Sequence, residues 1–513
     1  MAKLVTVDEM VAIERAADAA GWSYAHMMQA AGTSLAQAVI AHSHSLEKNI
    51  VALVGPGNNG GDALVALRLL AEAGWQTQAL LVGGRPAEDD LLLAAQSGGV
   101  RISSFAPDLA QTALQKCAVL LDGLLGTGMR LPLRPAFADA LDLTVQILNN
   151  LATRPLVVAV DCPSGMDCRT GAVAPEALAA DLTVCMAAVK QGMLTTSAWP
   201  YLGQLEIGDI GLPQDLPAWA AIPRAVIDRP MVRQTLPPRP LDAHKGTFGT
   251  ALVVAGSQAY PGAALLAAQA AYRVGSGLVR VGTTAAVQAM LAGHLPEAVW
   301  SVLPSEAGAI AEAAAADLAA ALPRATGLLL GPGLGQQPGT GAFVRAALGL
   351  ALPPTVIDAD ALRWLTEIGD WPGRLRADSV LTPHPGEMAA LSGLSVEHIQ
   401  ADRLAVAERY AQTWRQVLVL KGAFSVVAAP DGRSATLPLA TPVLSRAGSG
   451  DVLAGLITGL LAQGVSSYQA ACAAVWLHGH TGERALSRLG TAAGVLPSDL
   501  LAELPAAIAA AMG

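Results

Sequence analysis

Short apolar runs alternate with longer amphipathic segments along most of the chain, and this alternation predicts a series of strands and helices. Each apolar run has the length of a buried strand and ends in a polar or glycine-rich turn. The runs interpreted as strands are 49–54, 76–82, 119–122, 156–160, 182–186, 250–255, 278–281, 327–330, 355–358, 380–382 and 417–420. Strands that alternate with helices pair in parallel, so the pattern predicts an α/β fold.

Helices are predicted where apolar side chains return every three or four positions. Residues 7 to about 42 are predicted as helix, with Met10, Ile13 and Ala17 on one face. Further helices are predicted over 63–73, over 262–274 and, as an uncharged and buried one, over about 452–463. The uncharged stretches 246–272 and 452–482 are interrupted by glycines, so we expect neither of them to span a membrane.

The alternation lapses between about residues 211 and 241, where seven prolines fall. We interpret this stretch as the connection between two domains, residues 1–220 and 221–513. A chain of 513 residues is too long for one typical hydrophobic core, which supports the division. Each domain is expected to be a three-layer α/β/α sandwich whose strand-end loops bind the ligands.

Composition and charge narrow the class of protein. Hydrophobic residues make up 52% and charged residues 14%, which is typical of a globular chain. The net charge of -9 argues against general nucleic-acid binding. Five cysteines without a Cys-x-x-Cys pair indicate free thiols rather than disulfides or zinc. The start of the chain lacks the apolar segment of a signal peptide, so we expect a cytoplasmic protein, and its apolar composition favours a homo-oligomer.

Polar side chains follow three separate strands of the first half. They are Asn58, Asn59 and Asp62 after the first, Asp122 after the second, and Asp161 and Ser164 after the third. Because the carboxyl ends of parallel strands share one edge, their oxygens could form a cage for a hard cation. The glycines of 55–61 and 126–128 offer N–H groups to a phosphate. Each loop alone is more typical of a tight turn; the three together favour a site.

The segments 55–62, 122–128 and 161–167 closely resemble the NAD(P)H-hydrate epimerase (YjeF N-terminal) family, whose domain is Rossmann-like. The resemblance implies that Asn59, Asp122 and Ser164 hold a potassium ion, and that Asp161 is the acid/base group for epimerisation at C6 of the hydrated nicotinamide ring. It also implies substrate contacts from Asn58, Asn59, Gly60, Gly61, Asp62, Gly126, Thr127, Gly128, Met129, Arg130, Leu131, Pro132 and Asp161.

In the second half, Gly448-Ser449-Gly450-Asp451 immediately precedes the uncharged helix. The free N–H groups and the dipole of a helix N-terminus attract anions, and a carboxylate beside them can transfer a proton. The same residues are also typical of an aspartate that caps a helix after a glycine turn. The motif alone does not distinguish the two interpretations.

Seven segments of the second half, in their order along the chain, resemble the ADP/ATP-dependent NAD(P)H-hydrate dehydratase family, which has the ribokinase-like fold. They are 244–246, 260–263, 331–335, 358–362, 383–387, 421–423 and 448–451. The resemblance covers nearly all of 241–500. It implies that the hydrated substrate is bound by Ala263, Gly333, His384 and Asp451, and the adenine nucleotide by Lys421, Gly422, Ala423, Phe424, Ser425 and Gly450. Asp451 would be the general base, and Mg²⁺ is expected with the nucleotide. His384 could instead be a loop residue, although its position favours a substrate contact.

Together, the two resemblances predict a bifunctional repair enzyme for damaged nicotinamide nucleotides. It would interconvert the R and S forms of NAD(P)HX and dehydrate the S form to NAD(P)H, converting ADP to AMP and phosphate. ADP is expected over ATP because two-domain fusions of this kind resemble the bacterial ADP-dependent type. The alternative is a ribokinase-like small-molecule kinase whose N-terminal domain only binds or assembles. The motif that contains His384, and the retention of Asn59, Asp122 and Asp161, argue against that alternative.

Overall fold

The computed structural model describes residues 2–43, 45 and 47–513. The chain packs into two compact units, Ala2–Ile222 and Pro223–Gly513. Among the described residues, no helix is both long and apolar enough to cross a membrane.

The N-terminal unit alternates strands and helices along its length. Its strands are β1 (Lys3–Val5), β2 (Asn49–Val54), β3 (Gln76–Leu81), β4 (Arg101–Ser104), β5 (Val119–Gly123), β6 (Leu156–Val160), β7 (Leu182–Met186), β8 (Ala188–Lys190) and β9 (Gln204–Gly208). Its helices are α1 (Val7–Ala19), α2 (Tyr24–His42), α3 (Asn58–Glu72), α4 (Asp90–Ser97), α5 (Pro107–Leu114), α6 (Pro135–Asn149) and α7 (Pro217–Ala220).

The sheet of the N-terminal unit has the strand order β4-β3-β2-β5-β6-β7-β9. Every neighbouring pair in this sheet is parallel, and β1 pairs separately with β8. Alternate residues of β2 enter two different cores: Ile50 and Ala52 pack with α1, α2 and α3, whereas Val51 and Leu53 pack with α5 and α6. Helices therefore cover both faces, which confirms the predicted three-layer α/β/α architecture of this half.

The C-terminal unit repeats the alternation. Its strands are β10 (Arg224–Val226), β11 (Thr250–Val254), β12 (Leu278–Thr283), β13 (Val299–Val302), β14 (Ser305–Glu306), β15 (Ala309–Ile310), β16 (Gly327–Leu330), β17 (Thr355–Ile357), β18 (Val380–Leu381), β19 (Val417–Leu420), β20 (Val426–Ala428) and β21 (Ser434–Thr436). Its helices are α8 (Arg229–Thr235), α9 (Pro261–Arg273), α10 (Ala285–Leu291), α11 (Ala314–Ala321), α12 (Pro338–Ala347), α13 (Asp360–Leu365), α14 (Trp371–Arg374), α15 (Pro385–Ser392), α16 (Val396–Ala401), α17 (Arg403–Trp414), α18 (Ser449–Ala462), α19 (Ser467–Leu489) and α20 (Pro497–Met512).

The main sheet of this unit runs β13-β12-β11-β16-β17-β18-β19-β20-β21-β10. The pairs from β13 to β19 are parallel, as predicted, whereas β20 pairs antiparallel with both β19 and β21. Ala251 and Val253 of β11 enter a core with α9, α18 and α19, and Leu252 and Val254 enter a core with α11 and α12. This half is also a three-layer α/β/α unit.

The helix predicted over residues 7 to about 42 is interrupted in the structure, which divides it into α1 and α2. Gly21 between them has a φ of 98°, a left-handed conformation that glycine adopts readily. Ser23 then caps α2 by accepting a hydrogen bond from the backbone N–H of His26. The apolar spacing continues across the break, which is why periodicity alone did not reveal it.

The proline-rich stretch predicted as a connection is not an irregular linker. It contains α7, β10 and α8, and β10 pairs in parallel with β21. Pro217 and Pro230 lie in the first turns of α7 and α8, where the missing N–H has no intrahelical partner to lose. These prolines therefore begin helices rather than interrupt them.

The helix predicted over 63–73 begins five residues earlier, at Asn58. The polar residues interpreted as a loop consequently form the first turns of α3, with Gly57 as the N-cap. Their amide groups and side chains are therefore fixed by a helix, directly at the end of β2.

Candidate active sites

Asn59 joins the strand ends of the N-terminal unit. Its Nδ2 donates to the carbonyl oxygen of Val160 at 2.5 Å and, more weakly, to that of Leu125 at 3.3 Å. Gly126 lies against the same side chain, since a Cβ built there would come within 2.3 Å of Asn59 Oδ1. The start of α3 is thus tied to the loops after β5 and β6.

Asp122 and Ser164 are directly bonded and fully buried. Ser164 donates from its backbone N–H and its hydroxyl to the two carboxylate oxygens of Asp122, at 2.7 and 2.5 Å. Burial raises the pKa of Asp122 to about 6, and the bonds from Ser164 only partly oppose that effect. A buried carboxylate with neutral partners and neighbouring amide and hydroxyl oxygens matches the preferences of a hard monovalent cation.

Asp161 follows β6 and has a φ of 63°, an unusual conformation for a non-glycine residue. The backbone N–H of Met186 donates to Asp161 Oδ1 at 2.8 Å, and Lys190 Nζ forms an ion pair with the same oxygen. Nζ also donates to the carbonyl of Met186 at 3.1 Å. The strained backbone is held by these contacts, as is common at functional sites.

Sequence reasoning missed Lys190, which is 1% exposed and carries an ammonium group into the core. Burial opposes its charge, but Asp161 more than offsets that effect and raises the pKa of Lys190 above its usual range. The sequence signal that could have identified Lys190 is a lone lysine directly after an apolar run. Glu14 of α1 was missed as well: it lies at helical spacing from the buried Met10 and Ala17, where an apolar residue is expected.

The residues of the loop 126–132 lie in two different places. Gly126 lies against Asn59. Met129, Arg130 and Leu131 line a cavity of about 630 Å³ together with Asp167 and Arg169 of the loop after β6. Asp161 does not line that cavity. Of the predicted substrate contacts, Met129, Arg130 and Leu131 therefore line a groove that Asp161 does not reach.

In the C-terminal unit, α18 begins at Ser449 because Gly448, with a φ of 93°, supplies a left-handed N-cap. Asp451 is the third residue of the helix and caps nothing, so the capping interpretation of this aspartate is wrong. Gly455 lies against α9, where a Cβ would come within 2.2 Å of the Ala267 carbonyl. Close packing thus fixes the direction in which the N-terminus of α18 points.

A cavity of about 510 Å³ opens at this N-terminus. It brings together most of the residues predicted to bind nucleotide or substrate in this half: His384, Lys421, Gly422, Ala423, Ser425, Gly450 and Asp451. Asp358, Glu387 and the buried His478 also line it, although no role was predicted for them.

Lys421 lies at the centre of the charges in this cavity. Its Nζ is 2.8 Å from Asp358 Oδ1 and 3.8 Å from Glu387 Oε2. Burial opposes the charge of Lys421, but the two carboxylates raise its pKa. Burial, followed by repulsion from Asp358, raises the pKa of Asp451 to about 7, which Lys421 only partly counteracts. Asp451 can therefore exchange a proton near neutral pH.

Ala263, Gly333 and Phe424 do not line this cavity. Ala263 and Gly333 instead adjoin each other, since a Cβ at Gly333 would come within 2.9 Å of the Ala263 Cβ. Gly335, two residues along, lines a second cavity of about 470 Å³ with Tyr260. Phe424 is buried and bonds through its backbone N–H to the Leu439 carbonyl.

His384 is the N-cap of α15. Its Nδ1 accepts from the backbone N–H groups of Gly386 and Glu387 at 3.0 and 3.2 Å. The side chain remains 57% exposed, so the outer edge of the ring still faces the cavity. His384 therefore has a structural role in the loop, and its Nε2 lies 3.6 Å from Glu387 Oε1.

The fold and the two sites define a class: a two-domain α/β enzyme with a separate group of buried carboxylates at the strand ends of each domain. Comparison with known proteins is consistent with two functional domains. Residues 24–192 match the family "YjeF-related protein N-terminus", and residues 251–506 match the family "NAD(P)H-hydrate dehydratase".

Full-length relatives carry both domains. The chain is 36% identical to a bifunctional NAD(P)H-hydrate repair enzyme of Moorella thermoacetica, over 93% of this chain and 91% of the relative. It is 36% identical to the enzyme of the same name from Salinibacter ruber, over 95% and 92%. A solved ADP/ATP-dependent NAD(P)H-hydrate dehydratase from Bacillus subtilis, co-crystallised with ATP/Mg²⁺, is 32% identical, with a TM-score of 0.48, over 56% of this chain and 98% of that one. The chain belongs to the family of bifunctional NAD(P)H-hydrate repair enzymes.

Proposed function

We propose that this chain epimerises R and S NAD(P)HX in residues 1–220 and dehydrates the S form with ADP in residues 221–513. The observation that carries the proposal is Asp451, a carboxyl group with a pKa of about 7 at the N-terminus of α18, in a cavity that also holds Lys421. Cytoplasmic location and homo-oligomeric assembly remain predictions.

In the dehydratase unit, the substrate hydroxyl at C6 is a poor leaving group until it is phosphorylated. Asp451 accepts the hydroxyl proton while oxygen attacks the terminal phosphorus of the nucleotide. The first N–H groups of α18, including that of Gly450, and the ammonium group of Lys421 offset the charge of the moving phosphoryl group. Phosphate then leaves C6 with the bonding electrons while the ring nitrogen lone pair forms a C=N bond, and loss of a proton from C5 to water restores the ring double bond.

Mg²⁺ would be carried by the nucleotide phosphates. Among the described residues, no three His, Cys, Asp or Glu side chains group into a metal site. One carboxylate oxygen, Asp358 Oδ2, is buried in the cavity wall without a hydrogen-bond partner and could accept from a metal-bound water. This arrangement fits a nucleotide-bound ion, which keeps most of its water.

In the epimerase unit, Asp161 transfers the proton that accompanies exchange at C6, and Asn59, Asp122 and Ser164 would hold potassium. The buried Asp122 would supply negative charge for the ion, and the ion would position the adjoining loops rather than take part in bond breaking. Potassium binding would also relieve the cost of burying Asp122.

Two isosteric variants test the division of labour with NADHX as substrate. Asp161→Asn should abolish R/S exchange, followed by chromatography, and leave dehydration of the S form intact. Asp451→Asn should spare exchange and stop recovery of NADH absorbance with ADP; ATP is assayed in parallel. Parent-rate dehydration by Asp451→Asn would refute the base assignment. Phosphorylation of an unrelated alcohol without NADH recovery by the parent would favour the kinase alternative.

A further inference from the structure

The loop that follows β16, residues 331–337, has a backbone whose shape its own sequence leaves open. Gly331, Gly333 and Gly335 have φ values of 142°, 63° and 88°. Because glycine populates positive and negative φ almost equally, contacts from neighbouring elements must fix the shape of this loop. Gly335 lines the second cavity, of about 470 Å³. The loop also contains Gly333, which the resemblance to the dehydratase family assigns to the hydrated substrate.

Two side chains of α13 hold both polar backbone groups of Gly335. Asp360 Oδ2 accepts from the Gly335 N–H at 2.8 Å, and Trp364 Nε1 donates to the Gly335 carbonyl oxygen at 3.1 Å. Asp360 and Trp364 are four residues apart on one helix, so their side chains lie on the same face. The Trp364 ring is itself packed against α12, since a Cβ at Gly341 would come within 2.6 Å of Trp364 Cε3. The loop is therefore held at Gly335 by two directional bonds from a single helix.

The turn between β17 and α13 also contributes to the nucleotide cavity. Asp358, two residues before Asp360, lines that cavity and pairs with Lys421 at 2.8 Å. The same Asp358 oxygen, Oδ1, accepts from the Thr382 hydroxyl at 2.6 Å. The turn also touches the glycine loop, because a Cβ at Gly331 would come within 1.8 Å of the Asp358 carbonyl oxygen. One turn thus bears a carboxylate that faces the nucleotide cavity and, two residues on, the carboxylate that holds the loop.

On the basis of the dehydratase activity proposed above, we propose that Asp360 is a positioning residue, which together with Trp364 fixes the loop 331–335 for binding of the hydrated dinucleotide. A loop that is already ordered loses less conformational entropy when the substrate binds. The two bonds to Gly335 therefore lower the KM for that substrate.

The KM for ADP should not depend on Asp360. The residues expected to hold the nucleotide, such as Lys421 and Gly450, belong to the loop after β19 and to α18. Asp358 is held by its own bonds to Lys421 and Thr382, neither of which involves Asp360. Replacing Asp360 should consequently separate the two Michaelis constants, which a general loss of structure would not do.

The test compares Asp360→Ala and Asp360→Asn with the parent in the full chain, by NADH absorbance, varying (S)-NADHX and ADP in turn. Alanine removes the acceptor for the Gly335 N–H, so the KM for NADHX should rise about tenfold to 100-fold. The KM for ADP should stay within about twofold. Asparagine keeps an acceptor oxygen at the same place and should restore most of the affinity for NADHX. Both variants remove the negative charge that Asp360 exerts on Asp451, so the hydrogen bond is what distinguishes them.

An unchanged KM for NADHX in Asp360→Ala, an equal rise in Asp360→Asn, or an equal rise in the KM for ADP would overturn the proposal. Trp364→Phe covers the case in which Asp360→Ala fails to fold, because it keeps a ring over Gly341 and removes the N–H donor. Its KM for NADHX should rise about threefold to tenfold with that for ADP unchanged, and a parental value for NADHX would overturn the role of the loop contacts. Asp317→Ala, an exposed carboxyl change on α11, is the matched control and should behave as the parent does. Failure of the parent to recover NADH would instead refute the dehydratase function itself.

Discussion

Replacing the candidate base of the dehydratase unit should stabilise the fold. The pKa of Asp451 rises from 3.8 to about 7 on folding, chiefly because the carboxyl group is buried and next to Asp358. A raised pKa means that the folded state holds a proton that the unfolded chain has already lost. Stability is therefore lost as the pH rises from about 4 to about 7, and Asp451→Asn removes this loss.

The magnitude follows from the size of the pKa change. About three pK units, at about 1.4 kcal/mol each, give an upper limit of about 4 kcal/mol at about pH 8. Near pH 5 the folded carboxyl group is still protonated and the unfolded one is about one pK unit past its midpoint, so the gain falls to about 2 kcal/mol or less. The difference between the two conditions is the signature of Asp451 itself.

The assay is urea unfolding of parent and Asp451→Asn at both pH values, without nucleotide, following the transition of the C-terminal unit. Comparison at equal pH cancels the titration of the groups that do not interact with Asp451. Equal stability of the two proteins at the higher pH, or a gain that does not change with pH, would refute the claim that Asp451 is ionised at a cost. A stabilised but inactive variant would show that the cost is maintained for function.

Three further outcomes follow from the same contacts. Dehydration by the parent should rise with pH along a limb centred near 7, since Asp451 must be ionised to act as a base; a flat profile in the single-turnover rate would contradict this. Lys190→Met should destabilise the N-terminal unit by about 3–5 kcal/mol, because it strands the buried charge of Asp161, and thermal unfolding measures the loss. Ser164→Ala should weaken the potassium dependence of R/S exchange in a salt titration, with lithium and sodium as controls, because it removes a donor to Asp122.

The polar residues at strand ends could be identified from the sequence because parallel sheets impose a simple rule. Strand carboxyl ends share one edge, so Asn59, Asp122 and Ser164, far apart in sequence, were expected together, and the structure does place their loops in contact. Their proposed role as potassium ligands stays a prediction. The layered architecture followed from the same alternation of strands and helices.

Other features were not accessible because they depend on three-dimensional proximity. Lys190 and Glu14 lie within apolar patterns, where a single charged residue is equally typical of a side chain that reaches solvent. The antiparallel β20 and β21 are three residues each, too short for periodicity to reveal. The separation of Gly333 from the main cavity depends on how the loop after β16 turns, which its glycines leave open.

Each of the two units pairs a buried aspartate with a lysine. Lys190 forms an ion pair with Asp161, the candidate acid/base group of its unit. Lys421 neutralises Asp358, which faces the nucleotide cavity, and leaves the candidate base Asp451 with a pKa of about 7. In the N-terminal unit the ion pair holds the Asp161 side chain in place at the end of β6. Phosphoryl transfer needs a single base that can lose its proton near neutrality, and the lysine next to it also remains available to the phosphate.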